Sequence, residues 1–159
     1  AIERVQKRTD ALLNCGGTHR PEWFHRKLGD ILYEGCGVAR DEAGLLDALK
    51  KVRELREEFW RDVKVVGTGN RLNQELEKAG RVADFIELGE VMILDALDRR
   101  ESAGAHFRNE YATEAGEAKR NDGDWCAVSA WETRPDGTKV RHSEPLSFSL
   151  VDLQVRDYR

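Results

Sequence analysis

The stretch from about Asn73 through Leu97 restricts the fold more than any other part of the chain. Its apolar residues Leu76, Ala79, Val82, Ala83, Phe85, Ile86, Leu88, Met92, Ile93, Ala96 and Leu97 recur at helical spacing and fill more than one narrow stripe. A helix apolar over so wide a face needs neighbours on several sides, which predicts a central member of a bundle.

Two earlier segments supply neighbours. Pro21 suits a first helical turn, where its missing N–H would have no partner. Phe24, Leu28 and Ile31 follow at helical spacing until Gly35-Cys36-Gly37 stops the run. Asp41 is a suitable cap for the next helix, whose residues Leu45, Ala48, Leu49, Val52, Leu55, Phe59 and Val63 form one face. On its charged face Arg53 with Glu57, and Glu57 with Arg61, stand one turn apart, pairs worth about 0.2–0.5 kcal/mol each. Before these, an amphipathic turn or two (Ile2, Val5, Leu12, Leu13) ends at Asn14-Cys15-Gly16-Gly17-Thr18.

Beyond about Gly104 the helical period disappears. Residues 125–131 read as a strand, Arg134-Pro135-Asp136-Gly137 as a turn, and Thr138 through His142 as the returning strand of a β-hairpin with Lys139 and Arg141 on its wet face. Residues 116–123 read as a polar loop, and residues 149–155 as a last extended segment. The expected fold class is mainly α: a helical bundle over residues 1–104, with residues 105–159 a loop and β-hairpin extension of the same domain.

Composition excludes several function classes. The 159 residues suit one domain, and 26 Lys+Arg against 30 Asp+Glu give a net charge of −4. That balance offers no basic stripe for nucleic acid. The longest aliphatic stretch, Val91-Met92-Ile93-Leu94, is far short of the roughly 18–20 apolar residues of a spanning helix. Cys15, Cys36 and Cys126 are odd in number and lack a C-x-x-C pair, so they read as free thiols of a reducing compartment. The chain opens on Ala1 rather than Met, without a signal-peptide pattern, which suggests a removed initiator or a piece of something longer.

Chemistry-bearing motifs are few. Gly35-x-Gly37 and Gly67-x-Gly69 begin like dinucleotide fingerprints. Arg40 and Leu72 stand where a third glycine belongs, and both pairs follow helices, so helix C-termini are the expected reading. His19, His25, His106 and His142 form no ligand set, and His142 has no evident partner. Trp23, Trp60, Trp125 and Trp131 read as core or interdomain packing. The one dense constellation runs from Arg99 to Tyr111. There His106 could act with Glu110 as an acid/base pair, but the favoured reading is that its groups cap a helix and pin loops or a neighbouring domain.

The same segment carries a resemblance. Arg100-Glu101-Ser102-x-Gly104-Ala105-His106-x-Arg108, an aromatic, and then Arg120-Asn121-Asp122-Gly123-Asp124-Trp125 resemble the C-terminal domain of succinate dehydrogenase and fumarate reductase flavoprotein subunits. Upstream, Leu55-Arg56-Glu57-Glu58-Phe59-Trp60 and the run from Leu76 to Glu90 look like the bacterial subgroup with long C-terminal domains. Cys36-Gly37-Val38-Ala39-Arg40 and Arg156-Asp157-Tyr158 fit it too, so the resemblance covers essentially the whole chain. Many members carry Arg where this chain has Ala103, so position 103 receives no role.

The resemblance implies a three-helix, spectrin-repeat-like bundle with a C-terminal β-hairpin extension that packs on an FAD-binding domain. It implies an oxidoreductase that interconverts succinate and fumarate and passes electrons to quinone, with FAD in the parent subunit and none in this chain. No catalytic, cofactor-binding or metal-ligating residue carries over, because the glycine-rich fingerprint and the His-Gly-Ala-Asn-Arg-Leu-Gly segment are absent from the sequence. Arg100, Glu101, Ser102, His106, Arg108, Tyr111 and Trp125 are the candidate interdomain contacts. The implied partners are the FAD domain of the same subunit, an iron-sulfur subunit and a membrane anchor, at a cytoplasmic location peripheral to the inner membrane. An L-aspartate oxidase-like flavoprotein, with a similar Glu-Ser-x-Gly-x-His signature, and a freestanding helical interaction module are the alternatives. A surface normally covered by another domain would leave an apolar patch and a tendency to self-associate.

Overall fold

Asn73 sets where the longest helix begins. Its Oδ1 accepts the N–H groups of Glu75 and Leu76, both at 3.1 Å, which satisfies two of the four amides that a helix start leaves open. The computed structural model describes residues 1–154. They divide into two compact units, one of Ala1–Gly37 with Glu42–Leu97 and one of Val38–Asp41 with the chain from Asp98 onward.

The first unit is helical: α1 (Ile2–Asn14), α2 (Pro21–Gly35), α3 (Glu42–Asp62) and α4 (Gln74–Asp98). Phe24 of α2 and Leu45, Val52 and Phe59 of α3 are fully buried, and Ile86 and Ile93 of α4 nearly or fully so. Each such side chain contributes about 1.5–3 kcal/mol by leaving water. The rings of Phe24 and Phe59 meet edge to face at 5.2 Å. The opening amphipathic turns extend into the 13-residue α1, which buries Leu12. Arg8 of α1 donates to the Asp84 carboxylate at 2.6 Å and to the Gly80 carbonyl at 3.0 Å, both on α4.

The loop after α1 crosses the end of α3 at a place open only to glycine. A Cβ on Gly17 would lie 2.0 Å from the Asp62 carbonyl. That approach lets Gly17 donate to the Val63 carbonyl at 3.2 Å. It also brings the Thr18 N–H, the Thr18 hydroxyl and His19 Nδ1 onto the Asp62 carboxylate at 2.9, 2.6 and 2.6 Å. The Thr18 hydroxyl, then His19 and the Thr18 amide, hold the Asp62 carboxyl down at about 2.

A second carboxylate ties α3 to α4. Glu90 is buried, with Arg53 Nε 2.7 Å from Oε1 and Arg56 on Oε2. Arg53 therefore reaches across to α4, a different partner from the Glu57 expected along its own helix. Burial pushes the Glu90 carboxyl up, but the hydrogen bonds and charges of Arg53 and Arg56 outweigh it and hold the pKa below the usual value.

In the second unit, β1 (Ala39–Arg40) runs parallel to β2 (Phe107–Arg108), followed by a 3-10 turn at Asn109–Tyr111 and the short helix α5 (Asp122–Trp125). Then β3 (Ala127–Thr133) and β4 (Lys139–Pro145) form an antiparallel hairpin with Trp131 opposite Arg141 and Thr133 opposite Lys139. Gly137, at φ 86, and the Asp136 carboxylate, which accepts the Thr138 N–H at 3.0 Å, shape its turn.

The hairpin departs from expectation in three respects. Trp125 belongs to α5 rather than to the strand, and β4 continues to Pro145. Lys139 and Arg141 lie on the half-covered face, because the Arg141 guanidinium stacks on Trp125 at 4.9 Å and pairs with Asp98 at 2.7 Å. Residues 149–154 form no strand; Val155 and the Arg156-Asp157-Tyr158 motif lie outside the described residues. No helix among the described residues is long and apolar enough to cross a membrane.

Replacing Arg53 and Arg56 together by Ala leaves the buried Glu90 carboxylate unanswered, with an expected loss of about 3 kcal/mol by urea unfolding at neutral pH. Replacing Glu90 in addition by Leu should recover much of that loss. Asp62 makes a pH-dependent contribution. Its folded pKa is depressed, so the stability it adds is present above the unfolded value near 4 and is lost as the pH falls toward about 2. Urea midpoints recorded from neutral to acidic pH should fall less steeply for Asp62→Asn than for the parent chain.

Candidate functional site

The chain leaving α4 turns back on itself around one buried carboxylate. Glu101 is buried, and Arg99 grips its Oε1 through Nε at 2.8 Å and Nη2 at 2.6 Å. Its Oε2 accepts the Asn121 N–H at 2.8 Å. The same Arg99 Nη2 lies 3.4 Å from the Trp125 carbonyl, so one guanidinium joins the helix exit to α5.

Ser102 follows with no exposed surface and works in both directions. Its Oγ accepts the Arg108 N–H at 2.8 Å and donates to the Arg108 carbonyl at 3.1 Å. Its own N–H donates to the Lys119 carbonyl at 2.9 Å. Between Ser102 and Arg108 the chain closes a tight turn: Ala103 and His106 exchange backbone bonds at 2.8 and 3.1 Å, and Gly104 sits at φ 58, a conformation that disfavours other residues. The buried Arg108 donates from Nε to Glu110 at 3.1 Å, and its guanidinium lies 5.5 Å from the Tyr111 ring centre. Arg40 of β1 reaches the Ala105 carbonyl at 3.2 Å.

His106 is half-buried and donates from Nε2 to the Arg99 carbonyl at 3.0 Å. Burial lowers its pKa most, the hydrogen bond to the Arg99 carbonyl raises it in part, and the positive charges of Arg40, Arg99 and Arg108 add to the lowering. The ring is therefore mainly neutral at neutral pH, and Glu110 is engaged by Arg108. These bonds replace the acid/base pairing of His106 with Glu110.

Of the seven sequence candidates, Glu101, Ser102 and Arg108 are buried, His106, Tyr111 and Trp125 are half-buried, and Arg100 is exposed. All stand in the second unit. Chemically the cluster is a set of charge-assisted bonds with its acceptors answered by fixed donors, suited to holding shape rather than to moving protons.

The remaining motifs take structural places. Gly35 closes α2 and the Cys36 N–H caps it on the Leu32 carbonyl at 2.9 Å, the geometry of a helix C-terminus. His19 stacks on Trp23 at 4.1 Å, His25 faces Phe85 at 5.6 Å, and His142 lies 2.9 Å from Glu132. The His19 partner Asp62 and the short parallel pairing of β1 with β2 are not apparent from the sequence. Among the described residues no group of three or more His, Cys, Asp or Glu side chains is placed to hold a metal, and all three cysteines are free.

Residues 25–158 match the family model described as fumarate reductase flavoprotein C-term. A succinate dehydrogenase flavoprotein subunit of Bacillus subtilis is 25% identical over 158 residues, covering 99% of this chain and 26% of that protein. A fumarate reductase flavoprotein subunit of Escherichia coli is 31% identical over 104 residues, covering 65% of this chain and 17% of its own length. Among solved structures, a quinol fumarate reductase of E. coli shares the fold with a TM-score of 0.80 at 24% identity, over 95% of this chain and 25% of that one. The chain thus spans about a quarter or less of the relatives it matches.

Ser102→Ala removes a donor and an acceptor from a site without water access, and with them the two bonds to the Arg108 N–H and carbonyl. A loss of about 2 kcal/mol is expected, concentrated in the second unit and visible as faster amide exchange at Ser102, Arg108 and Lys119. His106 has a folded pKa below its unfolded value of about 6.5. Its contribution to stability is complete above that value and is lost as the pH falls through the lower folded one. An NMR titration should therefore show the His106 ring protonating after an ordinary exposed imidazole.

Proposed function

Because the chain belongs to the fumarate reductase flavoprotein C-terminal family, we propose that it serves as the non-catalytic C-terminal domain of a succinate dehydrogenase/fumarate reductase flavoprotein subunit. The observation that carries this reading is the collinear match: residues 25–158 fit the family model, and 99% of the chain aligns with 26% of the Bacillus subtilis relative. In the parent polypeptide FAD and the succinate–fumarate chemistry belong to the part beyond this chain, and electrons pass through partner subunits to quinone. The names of the relatives favour this reading over an L-aspartate oxidase-like one.

Within that role the two units act together as one domain. Arg100, Tyr111 and Trp125 meet the FAD-binding domain directly, and Glu101, Ser102, His106 and Arg108 hold the backbone that presents them. The turn at Gly104 has room for close approach, since a Cβ there would meet nothing within 4 Å. An iron-sulfur subunit and a membrane anchor complete the assembly and keep it at the inner membrane on the cytoplasmic side.

The test is the polypeptide encoded around this chain. An open frame upstream of Ala1 should carry a glycine-rich flavin fingerprint, and its full product should bind flavin and interconvert succinate and fumarate. The 159-residue chain by itself should show neither visible flavin absorbance nor dicarboxylate-dependent activity. A start codon directly before Ala1, or turnover by the isolated chain, overturns the reading.

A further inference from the structure

We propose that residues 146–153 are a docking surface for the rest of the same polypeptide, the part that this chain does not cover in its relatives. The inference rests on the domain role proposed above and assigns a surface to it. The segment follows β4 and carries Leu146, Phe148, Leu150, Val151 and Leu153, whose exposure ranges from 46% at Leu146 to 95% at Leu150. From Leu146 through Val151 there is no ionisable side chain, in a chain of which 35% of residues are charged. Five large apolar groups exposed in eight residues are an unusual outlay for a surface that meets only water.

The segment is also held in place. At its start the Leu146 N–H donates to the Cys126 carbonyl at 2.9 Å, and at its end Arg120 Nη1 donates to the Gln154 carbonyl at 3.0 Å. Beside it lies a cleft of about 240 Å³, whose lining sets Trp125, Leu146, Phe148 and Leu153 against the charged Arg99, Glu101, Arg120 and Asp122. The apolar ridge therefore borders a cleft whose own lining is part apolar and part charged. A two-stranded hairpin such as β3 and β4 gains from a further packed layer, which a covering domain supplies.

Size decides between the possible occupants. Eight residues are far fewer than the roughly 20–30 a side of a stable complex between separate chains, so a second copy would be held weakly by this ridge alone. A covalently joined domain needs no such area, because linkage raises its effective concentration to the millimolar range. The Bacillus subtilis relative has 74% of its length outside its match to this chain, taking the complement of the 26% covered, so there is ample polypeptide to act as the cover. An apolar face on the flavin-binding part, polar at the margin that meets Asp152 and the charged cleft, is the partner that fits.

The experiment uses the complete polypeptide with a thiol placed at position 150 or, as a reference, at position 72, through Leu150→Cys and Leu72→Cys. Leu150 and Leu72 are both 95% exposed in this structure. Maleimide labelling is followed by mass spectrometry at each site, in the native and the urea-unfolded protein. The expected result is that the thiol at 150 reacts on the order of tenfold more slowly in the native than in the unfolded protein, independent of protein concentration. A flavin-loaded polypeptide in which the thiol at 150 reacts as fast as when unfolded overturns this proposal and leaves the domain role standing. Slowing that is relieved by dilution assigns the cover to a second copy and also overturns it. A polypeptide without flavin overturns the domain role and this proposal with it.

Discussion

The carboxylate of Glu90 governs how the longest helix of the first unit can be used. It is buried on α4, and an ionised carboxylate in that position is tolerable only while opposite charge stands against it. Arg53 and Arg56 supply that charge from α3, one turn apart, so that both oxygens are held. Apolar attraction is non-directional, so by itself it discriminates weakly between registers of α3 against α4. Only a register that brings Glu90 between the two guanidiniums avoids a stranded charge. The ion pairs thus add less to stability than to the choice of one arrangement, and the loop carrying Thr18 and His19 is anchored on the end of the same α3 through Asp62.

The second unit repeats the device with a different scaffold. Among its described residues it has no long helix beyond the last residue of α4, and it has two short sheets, so backbone groups between these elements need partners other than regular ladders. Glu101 and Ser102 provide them: one carboxylate bridges Arg99 and the Asn121 amide, and one hydroxyl serves both backbone groups of Arg108. Polar side chains are buried here because irregular backbone is buried here. A segment dense in ionisable residues can look like an active site in sequence for this reason alone.

That distinction also explains what the sequence discloses. The apolar residues of α3 and α4 recur often enough to define a face, and the turn residues around Gly137 define the hairpin, so bundle and hairpin are legible. The partners of charged residues are not. Arg53 and Glu57 are neighbours on a helix, and nothing in their spacing shows that Arg53 instead meets Glu90, 37 positions away. The same holds for His19 and Asp62, 43 apart. β1 and β2 have two residues each, too few for alternation to register. At the candidate site the sequence located the cluster but not its burial, since Glu, Ser and Arg are ordinarily surface residues. His106 and Glu110 stand one helical turn apart by number, yet the chain between them is a turn and a short strand, so that spacing carries no meaning.

Residues 146–153 extend the same logic to a surface. By composition they resemble a strand, and an apolar strand is ordinarily covered on at least one face. Here the backbone is fixed at both ends but joins no sheet, so the side chains have neither a ladder nor a core to enter. The buried polar cluster and the exposed apolar ridge are therefore opposite departures from the usual distribution, in one unit. The first is satisfied internally by Arg99, Ser102 and Arg108; the second is exposed, and under the proposed docking its complement lies in the rest of the polypeptide. Under the proposed domain role, such a unit is specified by its own sequence in its interior and by its neighbour at its edge.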